Sequence, residues 1–321
     1  MLHLVDDKII DNHFEVGKYS CGYSVIREVI KNYKYNIEEW EVFFLANGFC
    51  FQNLLETFLL GYKSLKETCE NLMENTDLQI DLYDNLNNST SIRIIQEELK
   101  KRNLPILYVQ SDKLSYHNIQ KPLYPFHLIV SKGIDESFID ISDVYVIDDF
   151  GKISTFDGKV ELIKILPAVK EIMVIQNSTE YTIYKKDFTD VIANDLTFFL
   201  QKSTHGLAQM KEYIRDLYNC LKESGFSKLE LLPETLMVFK WIIVTPIASY
   251  IKCLCKKYRF DDIEQEIDEL YNNWIGNLNM LTKCFYALNS TKALQKSDNF
   301  NDNIIKLSSI IENLKKKFNY L

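Results

Sequence analysis

The first clear pattern in the chain is a helical one at residues 22–33. Apolar residues recur there at intervals of three and four, as on the buried face of an amphipathic helix. These positions are Val25, Ile26, Val29, Ile30 and Tyr33. Ser20 is a residue type that favours the position before a helix, so the pattern predicts that Cys21 lies in the first turn.

The rest of the first half mixes helical periodicity with short runs rich in β-branched and aromatic residues. Further helices are predicted from about Ile37, at 53–75 and at 90–102, and strands at 104–110, 126–133, 137–141, 144–149, 171–176 and 180–185. Gly133, Gly151 and Gly158 supply turn residues between the strands. Short consecutive strands with tight turns predict an antiparallel sheet with helices laid against it, which is an α+β fold.

From Asp187 onward the pattern is almost wholly helical. Helices are predicted at 187–202, 204–223, 233–256, 260–284 and 300–319, with a polar loop at 286–302. The change in pattern predicts two domains, an α+β domain at 1–185 and a helical domain at 186–321.

Composition and charge narrow the functional classes. The chain has 321 residues and a net charge of −8, which argues against a broad nucleic-acid surface. Its seven cysteines contain no C-x-x-C pair, so we predict no metal, and free thiols in a reducing cytoplasm. The most apolar stretch, at 236–254, is interrupted by Lys240, Pro246 and Lys252, so we predict a buried helix there and no membrane segment.

One cysteine and one histidine stand in positions that suit nucleophilic catalysis. Cys21 at a helix start would have its thiolate favoured by the helix dipole, and Gly22 would let a substrate approach closely. His127 begins one predicted strand and Asp148 ends another. If these strands are antiparallel neighbours, His127 is able to take the thiol proton while Asp148 orients the imidazole.

This order of motifs resembles papain-like cysteine peptidases of the bacteriocin-processing type. It is more similar still to the butirosin-biosynthesis acyltransferase family, whose members follow the nucleophile helix with a segment like EVFFLANGFCF at 41–51. The resemblance covers about residues 13–175 and implies a papain-like fold, with Asp148 at the family's acid position. Two features depart from the family. No Gln precedes Cys21 to complete an oxyanion hole, and Asp149 replaces a Pro, which leaves open which carboxylate orients His127.

The resemblance implies an amide-forming acyltransferase of antibiotic or other secondary-metabolite biosynthesis. An acyl group would move from the phosphopantetheine thioester of a carrier protein to Cys21 and then to an amine. A closthioamide-type reaction with a diamine acceptor is compatible with this. The implied partners are a carrier protein and the amine, with no nucleic acid, membrane or enzyme-bound cofactor, and a homodimer stays open. A peptidase or thioesterase with the same triad is the alternative, and an inactive carrier- or partner-binding module is another.

For the other candidate residues a structural role is predicted in preference to a catalytic or binding role. His117 and His205 are predicted to be surface or capping residues, and His13 likewise, although it could help to line the site. The aromatic residues near Phe43 suit core packing better than an acyl channel. Lysine-rich stretches at 252–259, 100–102 and 315–317 are candidate docking sites for an acidic carrier protein, although a solvated helix face accounts for each of them more simply.

Overall fold

The computed structural model describes residues 14–49, 51–54, 59–62, 64–117, 126–147, 152–177, 183–201, 206–226, 233, 236–237 and 239–320. The helices are α1 (Cys21–Asn32), α2 (Glu39–Leu45), α3 (Leu65–Asn75), α4 (Asn88–Lys100), α5 (Leu162–Ile165), α6 (Phe188–Gln201), α7 (Leu207–Ser224), α8 (Thr245–Tyr258), α9 (Asp261–Tyr286) and α10 (Ser290–Phe318). The strands are β1 (Phe51–Leu54), β2 (Leu59–Tyr62), β3 (Ile80–Tyr83), β4 (Pro105–Gln110), β5 (Phe126–Ile134), β6 (Phe138–Ile147), β7 (Ile153–Glu161) and β8 (Val169–Ile175).

The chain divides into two compact units. The first comprises Met1–Val42 and Cys69–Lys185, and the second comprises Phe43–Thr68 and Lys186–Leu321. The division at residue 185 coincides with the predicted domain boundary. Residues 43–68, which the prediction placed in the first domain, fall in the second unit.

The first unit is built on a six-stranded antiparallel sheet in the order β3-β8-β4-β5-β6-β7. Helix α1 packs against β5 and β6, and α4 packs against β4, β5 and β8. The predicted apolar face of α1 is buried, with Val25 and Val29 fully excluded from solvent. Burying one such side chain stabilises a fold by about 1.5–3 kcal/mol, so this face fixes the start of α1 over the sheet. The predicted α+β class is confirmed.

Several predicted elements of the first unit are corrected. The strands predicted at 137–141 and 144–149 are the single strand β6, because Ser142 and Asp143 continue the ladder opposite Asp157 and Phe156 of β7. Strand β7 was not predicted at all. Of the strand predicted at 180–185, the described residues 183–185 are not in a strand.

The second unit is mainly helical. Helix α10 packs against α9, α7 and α6, and a π-helical stretch at Phe239–Val244 leads into α8. The helix predicted at 53–75 is instead the antiparallel hairpin β1-β2 followed by α3, a known ambiguity of short apolar runs. The loop predicted at 286–302 is mostly the first turns of α10, which Asn289 caps by accepting the Lys292 N–H at 3.0 Å.

Phenylalanines at the end of α2 and just after it lie in the core of this second unit. Phe43, Phe44 and Phe49 are fully buried. The Phe43 ring stacks on Tyr250 with centroids 4.4 Å apart, and Phe49 lies 4.9 Å from Phe199. The core-packing interpretation of this aromatic stretch therefore holds for the three residues.

Among the described residues, the length and hydropathy needed to cross a membrane do not occur together in any helix.

Candidate active site

Cys21 is the first residue of α1, as the helical pattern predicts. Ser20 occupies the N-cap position in an extended conformation, with φ −151° and ψ 131°, although its side chain makes no capping hydrogen bond. Cys21 is half-buried and carries a free thiol. The first N–H groups of a helix lack intrahelical acceptors, so Cys21 sits where backbone donors and the positive end of the helix dipole favour an anion.

The segment before Cys21 is held by three buried charged side chains, Arg27, Glu28 and Glu39, here called the loop anchor. The Glu39 carboxylate accepts the backbone N–H groups of residues 18, 19 and 20, each at 3.0 Å. Glu28 accepts the Glu15 N–H at 2.8 Å. Arg27 lies between the two acids, 2.7 Å from Glu28 and 3.6 Å from Glu39. A buried charge is tolerated when it is paired and hydrogen-bonded, and here both conditions are met.

Gly17 ties the same segment to the sheet. Its N–H donates to the Val144 carbonyl of β6 at 2.7 Å. A Cβ at this position would lie 2.4 Å from the Ser24 hydroxyl of α1 and 2.8 Å from the Tyr145 ring. The backbone therefore approaches both elements more closely than any other residue type would allow, and this contact sets the position of Cys21 relative to β6.

His127 and Asp143 lie on neighbouring antiparallel strands. Val130 of β5 is opposite Ser142 of β6, which brings the start of β5 beside the later part of β6. The His127 Nε2 atom is 2.8 Å from Asp143 Oδ1, and the two side chains are 2 % and 0 % exposed. The predicted neighbouring pair of strands is thus present, with Asp143 as the carboxylate that contacts His127.

His127 also interacts with Cys21, and the two acidic groups determine its protonation. Burial by itself lowers the pKa of His127, but the charges of Asp143 and Cys21, and hydrogen bonds to both, outweigh burial and raise that pKa to about 10. For Asp143, burial acts to raise the pKa, whereas His127 and the hydrogen bond from His117 lower it below its ordinary value. Because Nε2 is engaged with Asp143, Nδ1 is the nitrogen available to Cys21. Because its pKa is raised to about 10, the imidazole is a cation beside the Asp143 carboxylate at neutral pH.

A second histidine shares the same carboxylate. The His117 Nε2 atom is 3.0 Å from Asp143 Oδ2, and the Tyr116 hydroxyl donates to that oxygen at 3.1 Å. The His117 and His127 rings are in edge contact, with centroids 5.0 Å apart. Tyr116, His117, His127 and Asp143 are here called the imidazole–carboxylate cluster.

The structure agrees with some of the residue positions predicted from the sequence and not with others. The structure brings Cys21 and His127 together, as predicted. Asp148 lies outside the described residues, and among the described residues the carboxylate bonded to His127 is that of Asp143. His117 was predicted to be a surface or capping residue, which is wrong, because its side chain is only 7 % exposed and bonds to Asp143. The usable signal was an acid inside the apolar run ISDVYVI, since an Asp is almost never fully buried unless it is paired.

The same groups also form the one set of three potential metal ligands among the described residues. Ligand atoms of His117, His127 and Asp143 lie within 4.8 Å of one another. Two imidazoles and a carboxylate are suitable ligands for zinc or iron(II). In the structure, however, both Asp143 oxygens accept hydrogen bonds from the two imidazoles, so these groups already satisfy one another.

Two groups near Cys21 are candidate donors to a substrate oxyanion. The first is the Cys21 N–H, which belongs to the first turn of α1, where N–H groups lack intrahelical acceptors, whereas the N–H groups of residues 18–20 donate to Glu39. Asn12 and His13, which precede Cys21 along the chain, lie outside the described residues. The Tyr145 side chain is a second candidate because its ring packs on the Gly17 segment. Burial raises the pKa of its phenol, and the charge of Cys21 raises it further.

The remaining cysteines divide by burial. Cys69, Cys255 and Cys284 are buried, and burial raises the pKa of both Cys69 and Cys255 to about 12. Cys220 and Cys253 are half-buried, and Cys50 lies outside the described residues. Cys21 is therefore the half-buried thiol of the first unit.

Two of the lysine-rich stretches meet on the second unit. The rings of Phe260 and Phe318, with centroids 5.6 Å apart, join the end of α8 to the end of α10. Acids of α9 pair with three of the lysines there. These pairs are Lys252–Asp268 at 2.6 Å, Lys256–Glu264 at 3.7 Å and Lys317–Asp262 at 2.8 Å. The local positive charge is therefore smaller than the sequence pattern indicates.

Comparison of the chain with protein-family models and with curated proteins gave no match. The assignment of function consequently depends on the geometry of the site.

Proposed function

We propose that the protein is a cysteine-dependent acyltransferase in which Cys21 is the nucleophile, His127 its base and acid, and Asp143 the group that orients His127. The observation that carries this proposal is the position of the His127 imidazole, which is bonded to Asp143 and interacts with Cys21 at the start of α1. A nucleophile, a base within reach and a third group that orients the base are the common requirement of this catalysis.

The protonation of the site gives a balanced two-step reaction. The Cys21 thiolate attacks the carbonyl of a thioester, and the expelled thiolate takes the proton of the His127 imidazolium. The acyl group is then on Cys21 and His127 is neutral. An amine attacks this second thioester, His127 takes the amine proton, and the Cys21 thiolate leaves. The resting pair is regenerated and an amide has formed.

The Cys21 N–H supports the first half of this proposal electrostatically. It belongs to the first turn of α1, where it has no intrahelical acceptor, and so it is able to donate to the oxyanion of a tetrahedral intermediate. The loop anchor and Gly17 hold this donor in place before the substrate arrives, which is the preorganisation that such stabilisation requires.

We propose transfer to an amine rather than hydrolysis because of the sequence resemblance. The proposed partners also come from that resemblance. These are a carrier protein that bears the acyl group on phosphopantetheine and an amine acceptor, with a closthioamide-type diamine as one such acceptor. A peptidase or thioesterase would use the same Cys21, His127 and Asp143, and an inactive binding module would retain them without turnover. The fold proposed for the first unit is papain-like, with the nucleophile helix packed on the strands that carry the base and the acid.

The test is intact-protein mass spectrometry after incubation with a panel of acyl-pantetheine thioesters, on the wild type and on Cys21→Ala. We expect an acyl adduct on the wild type alone, and loss of the adduct with release of an amide when amines are added. Loss of the adduct as free acid with every amine would favour the thioesterase. Labelling of Cys21 by a peptide electrophile, without any thioester adduct, would favour the peptidase. Failure of both reagents to label Cys21 would favour the binding module.

A further inference from the structure

The Asp143 carboxylate has a separate pair of partners on each oxygen. Oδ1 accepts from His127 Nε2 at 2.8 Å and from the Tyr145 backbone N–H at 3.0 Å. Oδ2 accepts from the Tyr116 hydroxyl at 3.1 Å and from His117 Nε2 at 3.0 Å. An ionised carboxylate only accepts hydrogen bonds and offers about four lone-pair directions. All four are used, so rotation of the carboxylate would break two bonds at Oδ2 at the same time as it turned Oδ1 away from His127.

The partners of Oδ2 are themselves fixed. The Tyr116 ring stacks on Phe156 of β7 with centroids 3.9 Å apart and an interplanar angle of 6°. Phe156 is the residue opposite Asp143 in the β6–β7 ladder. The His117 ring is in edge contact with both the Tyr116 and His127 rings. The backbone N–H of His117 donates to the Leu114 carbonyl at 3.0 Å and so closes a turn. The segment after β4 is thus held against β7 and presents two donors to one oxygen.

We propose that His117 is a positioning residue of the active site, which, with Tyr116, holds Asp143 ionised and aimed at His127. This inference depends on the proposed function, because it concerns the same His127 and Cys21. A triad with one orienting bond leaves the carboxylate free to turn, whereas donors on the far oxygen remove that freedom. Full satisfaction of a buried polar network also makes each of its bonds stronger and its geometry unique.

The test uses the reactivity of Cys21 itself, which requires no knowledge of the substrate. The rate of carboxamidomethylation by iodoacetamide is measured from pH 5.5 to 9 on the intact chain and resolved by peptide mass spectrometry. Cys220, which is half-buried in the second unit, reports general changes in the same sample. The variants are His117→Gln, whose amide nitrogen can donate from about the position of Nε2, and His117→Phe, which keeps a ring and removes the donor. Thermal unfolding is recorded for both.

We expect His117→Phe to lower the Cys21 rate near pH 7 by about tenfold, a fraction of the roughly 10²- to 10⁴-fold that a positioned base supplies. His117→Gln should stay within about threefold of the wild type, and Cys220 should not change in either. Equal Cys21 rates in the wild type and His117→Phe would overturn the inference. So would equal losses in both variants, because a donor at this position would then not matter.

Two further outcomes separate a positioning role of His117 from a metal site and from an unreactive Cys21. Stoichiometric zinc in the purified wild type, lost in His117→Phe and accompanied by faster Cys21 alkylation after chelation, would overturn the inference in favour of a metal site formed by His117, His127 and Asp143. A wild-type Cys21 that reacts no faster than Cys220 would remove the proposed function, and the inference with it. A reactive Cys21 that is indifferent to His117 removes the inference alone.

Discussion

Two buried polar groupings flank Cys21, and they differ in chemistry. The loop anchor consists of Arg27, Glu28 and Glu39, and its two acids accept backbone N–H groups and so hold the segment before Cys21. The imidazole–carboxylate cluster contains two imidazoles and a phenol on one carboxylate. An arginine is always charged, whereas an imidazole is able to gain and lose a proton under physiological conditions. The first grouping is therefore suited to holding a shape, and the second to moving a proton.

The largest expected effect comes from removing the central acid of the imidazole–carboxylate cluster. Asp143→Ala leaves His127 without its orienting partner, so the rate of Cys21 acylation by a thioester should fall by about 10³-fold. Asp143→Asn should lose less, because the amide oxygen still accepts one bond from His127. Stopped-flow acylation with intact-mass detection measures both rates. Asp140→Ala on the same strand is the control, since Asp140 is half-exposed and should leave the rate unchanged.

Disrupting the loop anchor is expected to have an effect of comparable size, but on the free energy of unfolding rather than on the acylation rate. Arg27→Met leaves the carboxylates of Glu28 and Glu39 buried without a countercharge, and breaking such a pair costs about 3–5 kcal/mol. Urea unfolding at neutral pH measures the loss. The matched control is Arg93→Met, which removes an exposed pair with Glu97 at 3.1 Å and should cost less than about 1 kcal/mol. A loss in Arg27→Met no larger than in the control would show that the anchor does not stabilise the fold.

The third prediction concerns the pH dependence of the free energy of unfolding, which should differ between the two groupings. Because the folded-state pKa of His127 is raised from 6.5 to about 10, its contribution to stability is full below pH 6.5 and is lost as pH rises towards 10. The limiting slope is about 1.4 kcal/mol per pH unit. Asp143 has a lowered pKa, so its contribution is full above the ordinary value of 3.8 and is lost as pH falls below it.

Urea unfolding of the wild type and Asp143→Asn across this range provides the measurement. The stability difference between the two proteins should be largest between about pH 4 and 6.5 and should shrink from pH 6.5 upward. Arg27→Met should instead differ from the wild type by a nearly constant amount from pH 6.5 to 9, because it leaves His127 and Asp143 in place. A wild-type minus Asp143→Asn difference that stays constant up to pH 10 would contradict the raised pKa of His127.

Sequence reasoning identified the parts of the site that depend on local pattern. The position of Cys21 follows from the apolar spacing of one helix and a serine before it. The pairing of the strand of His127 with its neighbour follows from their closeness along the chain. Both are local properties, and local periodicity is the strongest signal in a single sequence.

The acid and the second histidine were missed because their roles are set by tertiary contacts. Asp143 lies in the middle of β6, where Ser142 and Asp143 read as a break between two strands, yet both are buried and paired with β7. His117 follows a short turn after β4, and nothing in its neighbourhood along the chain indicates that its side chain reaches Asp143. The hairpin β1-β2 was missed for a different reason, since its apolar run fits a helix equally well.

The smallest expected effects distinguish two glycines that flank the nucleophile. Gly17→Ala places a Cβ within 2.4 Å of the Ser24 hydroxyl and 2.8 Å of the Tyr145 ring, so the tie between the Cys21 segment and β6 must shift, at a cost of about 1–3 kcal/mol. Gly22→Ala meets Leu128 at 3.6 Å and the Ser20 hydroxyl at 3.9 Å, which are ordinary contacts, and Ala favours a helix over Gly by up to about 1 kcal/mol. Its stability should therefore be unchanged or slightly higher.

Thermal unfolding and Cys21 acylation, measured on both glycine variants, complete the comparison. Gly17→Ala should lower the unfolding temperature and slow acylation together, because one contact supports both the fold and the position of Cys21. Gly22→Ala should leave the unfolding temperature in place and slow acylation only with bulky acyl groups, since the added methyl group stands beside the nucleophile without disturbing the packing. Equal acylation of small and bulky thioesters by Gly22→Ala would mean that the substrate does not approach Cys21 over Gly22.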